Sequence, residues 1–484
     1  MDRVPTVAPL DLTILVLFLG GTMAYGLWQG RRNRTTAAYF LGERNLPWWT
    51  VMLSVVATET SVLTFISVPG LAYRGNWHFL QLALGYVLGR VAVSYILLPL
   101  YYKEGVTSIY QFIGERFGAL VQKVTSAIFM VTRILADGVR FFATALLVQT
   151  LLPVSLLQAV LMMGGVTLVY TLAGGIKAVV WMDSFQFVLY LGAAVISLIY
   201  LHGLLDGGLA GGWAALGAAG KLELFNFRSD GAFFSASNAY LFPAAVIGGG
   251  ILSFASHGVD YMMVQRVLAT RSLKEGRMAL VGSGLFVLFQ FSLFLLVGGF
   301  LWVLFAGADL GVDKEFPRFI AEYLPVGLKG LLLAGVLAAA MSTLSSSINS
   351  LASSTVNDWL ARKDDLRLSR LVSLGWGLVL MGVALLIDTR DNPVVVLGLQ
   401  IASYTYGGLL GLFLLGRLEE EIHPAALISG LLGAAAMVLW LRSLGIAWTW
   451  WILAATLFNM ALALGLNRVI GAVRGRRGEN GGGQ

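Results

Sequence analysis

Long apolar runs separated by short polar loops occupy nearly the whole chain. A helix needs about 20 consecutive apolar residues to cross the hydrocarbon core of a bilayer. On that measure the pattern predicts thirteen spans, at about 10–29, 46–72, 77–101, 122–152, 155–173, 181–205, 237–260, 276–306, 327–360, 370–387, 393–416, 422–441 and 446–468. The expected fold class is an all-α polytopic membrane protein. A single transmembrane domain covers 1–470, and the glycine-rich stretch 471–484 is expected to be a disordered cytoplasmic tail. The longest loops, about 206–236 and 307–326, hold no visible soluble module. The first span does not read as a cleaved signal peptide. Only Arg3 precedes it, no small-x-small cleavage site ends it, and Arg31, Arg32 and Arg34 follow at once.

The second span carries Ala57-Thr58-Glu59-Thr60-Ser61 in its middle and Pro69-Gly70 near its end. The seventh carries Gly248-Gly249-Gly250 and Ser256-His257-Gly258-Val259-Asp260. They lie five spans apart, and an odd offset reverses the direction of insertion. Two inverted five-span repeats follow, about 46–205 and 237–416, with the first helix 10–29 and two further helices at 422–468 outside them. Interrupted helices at matching places in two inverted halves point to a transporter binding site.

Composition agrees with this reading. The hydrophobic fraction is 57% and the charged fraction 12%, with a mean hydropathy of +0.79. A soluble domain carries about twice that charge. The absence of cysteine excludes a disulfide framework, a thiolate metal site and a cysteine nucleophile. A net charge of +7 would suit a nucleic-acid binder, but the basic residues sit in short loops. With the amino terminus outside, 21 of the 33 lysines and arginines fall on inside segments and 9 on outside segments. Arg90, Arg133 and Arg140 remain within spans. This bias predicts a plasma (inner) membrane protein with its amino terminus out and its carboxyl terminus cytoplasmic. No His-Glu-x-x-His or Gly-x-Ser-x-Gly pattern suggests an enzyme.

The densest polar signal lies in the ninth span, from Ala338 to Ser350. Ser342, Ser345, Ser346 and Asn349 are spaced by three or four and share one helix face. Hydroxyl and carbonyl oxygens suit a small hard cation, whereas helix packing is the alternative for serine in a membrane. Asp183 stands where the sixth span begins. It is either a carboxylate in need of a partner at membrane depth or an exposed acid at a helix N-terminus. Glu59 lies well inside the second span, as a coupling carboxylate or as the partner of an intramembrane arginine. Arg133, Asp137 and Arg140 share one face of the fourth span. That face is either a self-satisfying triad that also neutralises Glu59 or a guanidinium site for a substrate carboxylate. His257 and Asp260 flank a glycine but find no third metal ligand. Gln400, Tyr404 and Tyr406 either line a pocket or pack.

Taken together, these residues resemble the sodium/solute symporter family, whose fold is of the LeuT type and whose members include proline, glucose and sialic acid symporters. The resemblance runs from about residue 10 to 465. It rests on Ser54 to Ser61 with Pro69-Gly70, on Gly174 to Gln186, on Val264-Gln265-Arg266 and on Ala339 to Thr343. It implies a first sodium site made by the backbone carbonyls of Ala57, Thr60 and Ala339 with the hydroxyls of Ser342 and Thr343. A second sodium, present in some relatives, would take Asp183, Ser342, Ser345 and Ser346. It would raise the sodium Hill coefficient above one. The substrate would sit between the second, fourth, seventh and eleventh spans. Its candidate contacts are Arg133, Glu59, Arg140, Asp260, Gln400 and Tyr404. Sialic acid carriers place an arginine near Arg133, which makes it the preferred anchor. The asparagine and glutamine set of the sugar carriers finds no match. The resemblance thus implies a sodium-coupled symporter that imports a small organic anion or zwitterion by alternating access. A proton-coupled symporter of the same fold and a membrane solute sensor are the alternatives. No cofactor is expected beyond sodium as coupling ion. The expected partners are the solute, sodium and the bilayer, with neither nucleic acid nor an obligatory protein partner.

Overall fold

The computed structural model describes residues 8–31, 34–60, 62–228, 235–360, 365–387 and 394–480. Arg3, Arg32, Ser61 and the last four residues of the expected tail lie outside them. Among the described residues the elements are helical, apart from one isolated bridge between Leu46 and Thr270. The chain begins with α1 (Pro9–Gly30), the short α2 (Thr36–Leu41), then α3 (Trp48–Glu59) and α4 (Val62–Arg74). It continues through α5 (Phe79–Ile96), α6 (Leu98–Glu104), α7 (Ile109–Phe117), α8 (Ala119–Leu151) and α9 (Leu156–Leu204). The second half holds α10 (Gly208–Ala218), α11 (Phe242–Gly258), α12 (Tyr261–Leu268), α13 (Leu273–Leu304) and α14 (Glu315–Glu322). Last come α15 (Leu328–Ser354), α16 (Leu366–Leu386), α17 (Val394–Leu415), α18 (Pro424–Ser443) and α19 (Trp451–Asn480).

Among the described residues, nine helices are long and apolar enough to cross a membrane, or eleven if each bent pair counts as one span. The thirteen spans of the hydropathy pattern depend further on α17 and on dividing α9. At 49 residues, α9 would extend roughly 74 Å as a straight helix, more than twice the ~30 Å hydrocarbon core. It breaks at Gly175, where φ is 57° and ψ is −159°.

Two boundaries differ from expectation. The seventh span does not end at 260, because α12 continues it to Leu268. Asp260 accepts the Met262 amide at 2.9 Å and so caps a new helix. The backbone of α19 remains helical to Asn480, ten residues into the stretch expected to be disordered. Once a helix is nucleated, each added residue gains a hydrogen bond, so glycine and charge alone need not end it.

The two broken spans, α3–α4 and α11–α12, each bend by 63°. Matching interruptions in the two halves were expected from the polar clusters, and both occur. Through the middle runs α15, in which every residue from Leu332 to Ser354 is buried. Its hydroxyls therefore face other helices, whereas Leu17, Ile199, Leu386 and Leu432 lie exposed on the outer helices. The α5 and α11 backbones touch. A Cβ on Gly89 would lie 2.2 Å from the Gly250 carbonyl oxygen, and one on Gly85 would lie 2.3 Å from that of Val246. This Gly-x-x-x-Gly seam is the membrane solution for close helix approach.

Each end of the bundle is covered. At one end Tyr39 of α2 is buried, with its hydroxyl 3.3 Å from the Thr171 carbonyl and 3.2 Å from Ser373 Oγ. Gln265 donates to the Phe40 carbonyl at 2.9 Å, and Arg44 donates to the carbonyls of Gly105 and Val106. At the opposite end Arg74 pairs with Asp313 at 3.2 Å and with Glu315. Burial pushes the Glu315 carboxyl above its ordinary value, and the Arg74 cation opposes that shift.

The Gly175 backbone lies in a region essentially reserved for glycine, which costs other residues about 1–3 kcal/mol. A Cβ there would also meet the Tyr39 carbonyl oxygen at 2.6 Å. Gly175→Ala should therefore destabilise the protein by at least that amount. Thermal unfolding of the purified variant measures it, and an unchanged midpoint would show that α9 does not need this break.

Candidate functional site

Two polar clusters meet on α15. The first surrounds Asp183, which lies on α9 beyond the Gly175 break and is fully buried. It is not an exposed N-terminal acid. Ser342 of α15 donates to Oδ1 at 2.6 Å and Ser54 of α3 donates to Oδ2 at 2.6 Å. Thr58 stands 3.4 Å from the same Oδ2. Arg266 of α12 completes the shell, with Nη2 at 3.4 Å. Its Nε donates to Ser54 at 2.9 Å, Nη1 donates to the Met262 carbonyl at 2.5 Å, and Nη2 also donates to Ser346. Ser345 and Ser346 donate to the Ser342 carbonyl at 3.0 and 2.5 Å.

Beside this cluster lies the broken end of α3. The last carbonyls of a helix have no donor within it, and Thr60 leaves the helix with φ −84° and ψ 81°. Thr343 of α15 faces this end. Its hydroxyl stands 3.5 Å from the Thr58 carbonyl and 3.4 Å from the Ala339 carbonyl, both long for a hydrogen bond. Ser342 gives its proton to Asp183, which leaves the lone pairs of its oxygen for a cation. Ala57, Thr60, Ala339, Ser342 and Thr343 are all buried. The structure adds Thr58 to the carbonyls named from the sequence, and Thr60 spends its hydroxyl on Gln290 at 3.1 Å.

The second cluster borders a cavity of about 70 Å³ whose lining includes Glu59, Arg133, Arg140, His257, Ala402 and Tyr406. The arginine face of α8 does not neutralise Glu59. That carboxylate pairs with Arg90 of α5, which also donates to Ser283. Arg133 is enclosed, with Asp137 at 3.5 Å, Asp260 at 3.3 Å and the Tyr406 hydroxyl at 3.0 Å. Arg140 has a lighter commitment, one ion pair among the described residues, to Asp137 at 3.2 Å. Its side chain is 14% exposed, against 2% for Arg133. Asp137 also accepts from Ser347.

Two expected pocket residues face elsewhere. Gln400 does not line the cavity. Tyr404 accepts a hydrogen bond from Arg442 at 2.6 Å and packs its ring on Trp451, 5.6 Å between centroids. Ala402 and Tyr406, four residues apart, share the inward face of α17, and Tyr404 falls halfway round the helix. Asp260 stands behind Arg133 and accepts from Tyr406 at 2.5 Å. Sequence reasoning missed Ser54, Thr58, Arg90 and Arg266 as site residues. The i, i+4 spacing of Ser54 and Thr58 carries the same signal as the α15 serines, and Arg90 is an intramembrane charge in need of an acid.

A model of the sodium:solute symporter family matches residues 39–433. The sodium/sialic acid symporter NanT of Aliivibrio fischeri is 27% identical over 448 residues, 90% of this chain and 88% of its own length. The human sodium/iodide cotransporter is 29% identical over 463 residues, 90% of this chain and 70% of its own. A solved structure of a sodium-coupled sialic acid symporter, described as substrate-bound and outward-open, superposes with a TM-score of 0.84 at 24% identity. That match covers 94% of this chain and 97% of the other and speaks to the fold.

The two tyrosines of α17 distinguish inward from outward. Tyr406→Phe strips a partner from both Asp260 and Arg133 and should cost about 1–3 kcal/mol. Tyr404→Phe should stay within about 0.5 kcal/mol. Thermal unfolding of the two variants in parallel checks the ranking, and equal losses would contradict it.

Proposed function

The chain belongs to the sodium:solute symporter family and works as a sodium-coupled symporter by alternating access; we propose that its solute is a small organic anion or zwitterion. The observation that carries this reading is Arg140, a guanidinium bordering the central cavity with one protein ion pair. Its Nε is buried without a hydrogen-bond partner among the described residues. A carboxylate on the solute would take the free edge of that fork in bidentate geometry. Arg133, already held by two carboxylates and Tyr406, orders the wall behind it. The relatives support an anionic solute in general rather than a particular one, since sialic acid is an organic acid and iodide an inorganic anion.

Sodium binds where the broken end of α3 meets α15, at the carbonyls of Ala57, Thr60 and Ala339 and the hydroxyls of Ser342 and Thr343. These ligands come from both helices, so the ion draws them together and completes one wall of the cavity. A membrane potential supplies about 2.3 kcal/mol per charge per 100 mV. The basic-residue bias supports an amino terminus outside and a carboxyl terminus on the cytoplasmic side of the plasma membrane. In that orientation the Arg74–Glu315 closure faces outward and α2 covers the cytoplasmic end. Alternating access opens one and then the other.

None of the hydroxyl and carbonyl ligands titrates near neutral pH, so uptake should follow sodium. Ser342→Ala and Thr343→Ala should each raise the sodium concentration for half-maximal uptake roughly tenfold, for a loss of about 1.4 kcal/mol. Undiminished uptake in sodium-free vesicles driven by a pH gradient would overturn the ion assignment. For the solute, Arg140→Lys should raise KM at least about tenfold, because lysine cannot reproduce the fork. Sodium binding to the same variant should survive. Normal transport by Arg140→Lys, or a neutral sugar as the transported solute, would exclude this anchor.

A further inference from the structure

We propose that Arg266 is a tethered cation that fills the Asp183 site and excludes a second sodium ion from it. The inference rests on the sodium reading above and concerns the number of ions. Asp183, Ser342, Ser345 and Ser346 are the oxygens a second ion would take, and the guanidinium stands among them. Arg266 Nη2 contacts both the Asp183 carboxylate and Ser346. Ser54 relays the same cation, accepting from Nε at 2.9 Å while donating to Asp183 at 2.6 Å.

Charge decides the occupancy. Among the described residues, Asp183 is the carboxylate within ion-pair distance of Arg266, so the pair is neutral. A sodium ion added to it would leave one uncompensated positive charge in a fully buried site, and burying an unpaired charge is strongly unfavourable. The ion must therefore displace the guanidinium. Displacement is hindered because the fork is fixed at three points, Ser54, Ser346 and the Met262 carbonyl. Every residue of α12 is buried, so no neighbouring solvent offers the guanidinium another place. Arginine also remains charged at any accessible pH, so deprotonation does not vacate the site.

The test is equilibrium binding of radioactive sodium to the purified full chain in lipid nanodiscs, counted per chain at saturation. Wild type should bind one ion. Arg266→Gln removes the tethered charge, leaves Asp183 uncompensated and should bind two. Two ions on wild type, falling to one in Ser345→Ala, would overturn the inference. One ion on both wild type and a folded Arg266→Gln would overturn it as well, because the arginine would then not be what excludes the second. If Arg266→Gln fails to fold, Arg266→Met takes its place: two ions on that variant sustain the inference, one overturns it, and two ions on wild type defeat it in either case. No bound sodium at all would instead overturn sodium coupling.

Discussion

Away from water a charge must meet its opposite, and that obligation organises this bundle. Four guanidiniums, Arg90, Arg133, Arg140 and Arg266, answer four carboxylates, Glu59, Asp137, Asp183 and Asp260. Only the pairs with Asp137 lie within one helix. Arg90 ties α5 to the broken end of α3, Arg133 ties α8 to the start of α12, and Arg266 ties α12 to α9. Breaking a buried pair by removing one partner costs about 3–5 kcal/mol. The packing of these five helices is therefore conditional on which acid meets which arginine as well as on their apolar contacts.

The serine-rich middle of α15 joins the two halves of this charge system. Ser346 accepts from Arg266, while Ser347, the next residue, donates to Asp137 beside Arg133 and Arg140. Consecutive helical residues point about 100° apart, so a single turn of α15 touches both the ion cluster and the acid that holds the two cavity arginines. A shift of α15 that lengthens one of these bonds disturbs the other. Coupling free energies between binding sites typically run about 1–3 kcal/mol, which two charge-assisted hydrogen bonds can supply. In the turn just beyond α15, Asp358 accepts from Ser108, Gln122, Ser126 and Ser354, anchoring that end of the helix against α7 and α8.

Much of this was legible in the amino-acid order. The apolar runs mark the helices, because bilayer thickness imposes a length that few other constraints imitate. The polar interruptions near Thr60 and Asp260 mark where the two bent spans break, because backbone released from a helix needs polar company. The serine face of α15 is visible as spacing. What spacing cannot convey is partnership across helices. Glu59 could have answered any intramembrane arginine, and the choice of Arg90 becomes visible only once the helices are in place. Tyr404 and Tyr406 look alike in a list of candidates, yet two residues of helix separate an inward side chain from one that faces α18 and α19. Arg266 belonged to a recognised motif, but its meaning emerged only when the bend before α12 carried it to Asp183.

The seam between α5 and α11 has one more consequence. Gly85 and Gly89 meet α11 with no side chains between the backbones, so there is no interdigitated layer to re-sort when one helix tilts. The two helices belong to different repeats, yet at this contact they form a welded strut. A tilt of α11 would drag α5 with it, and Arg90, one residue beyond Gly89, would pull on Glu59 at the break of the other bent helix. Mechanically, then, the inverted halves are cross-braced: a direct backbone contact and one ion pair join the two broken spans, built from distant parts of the chain.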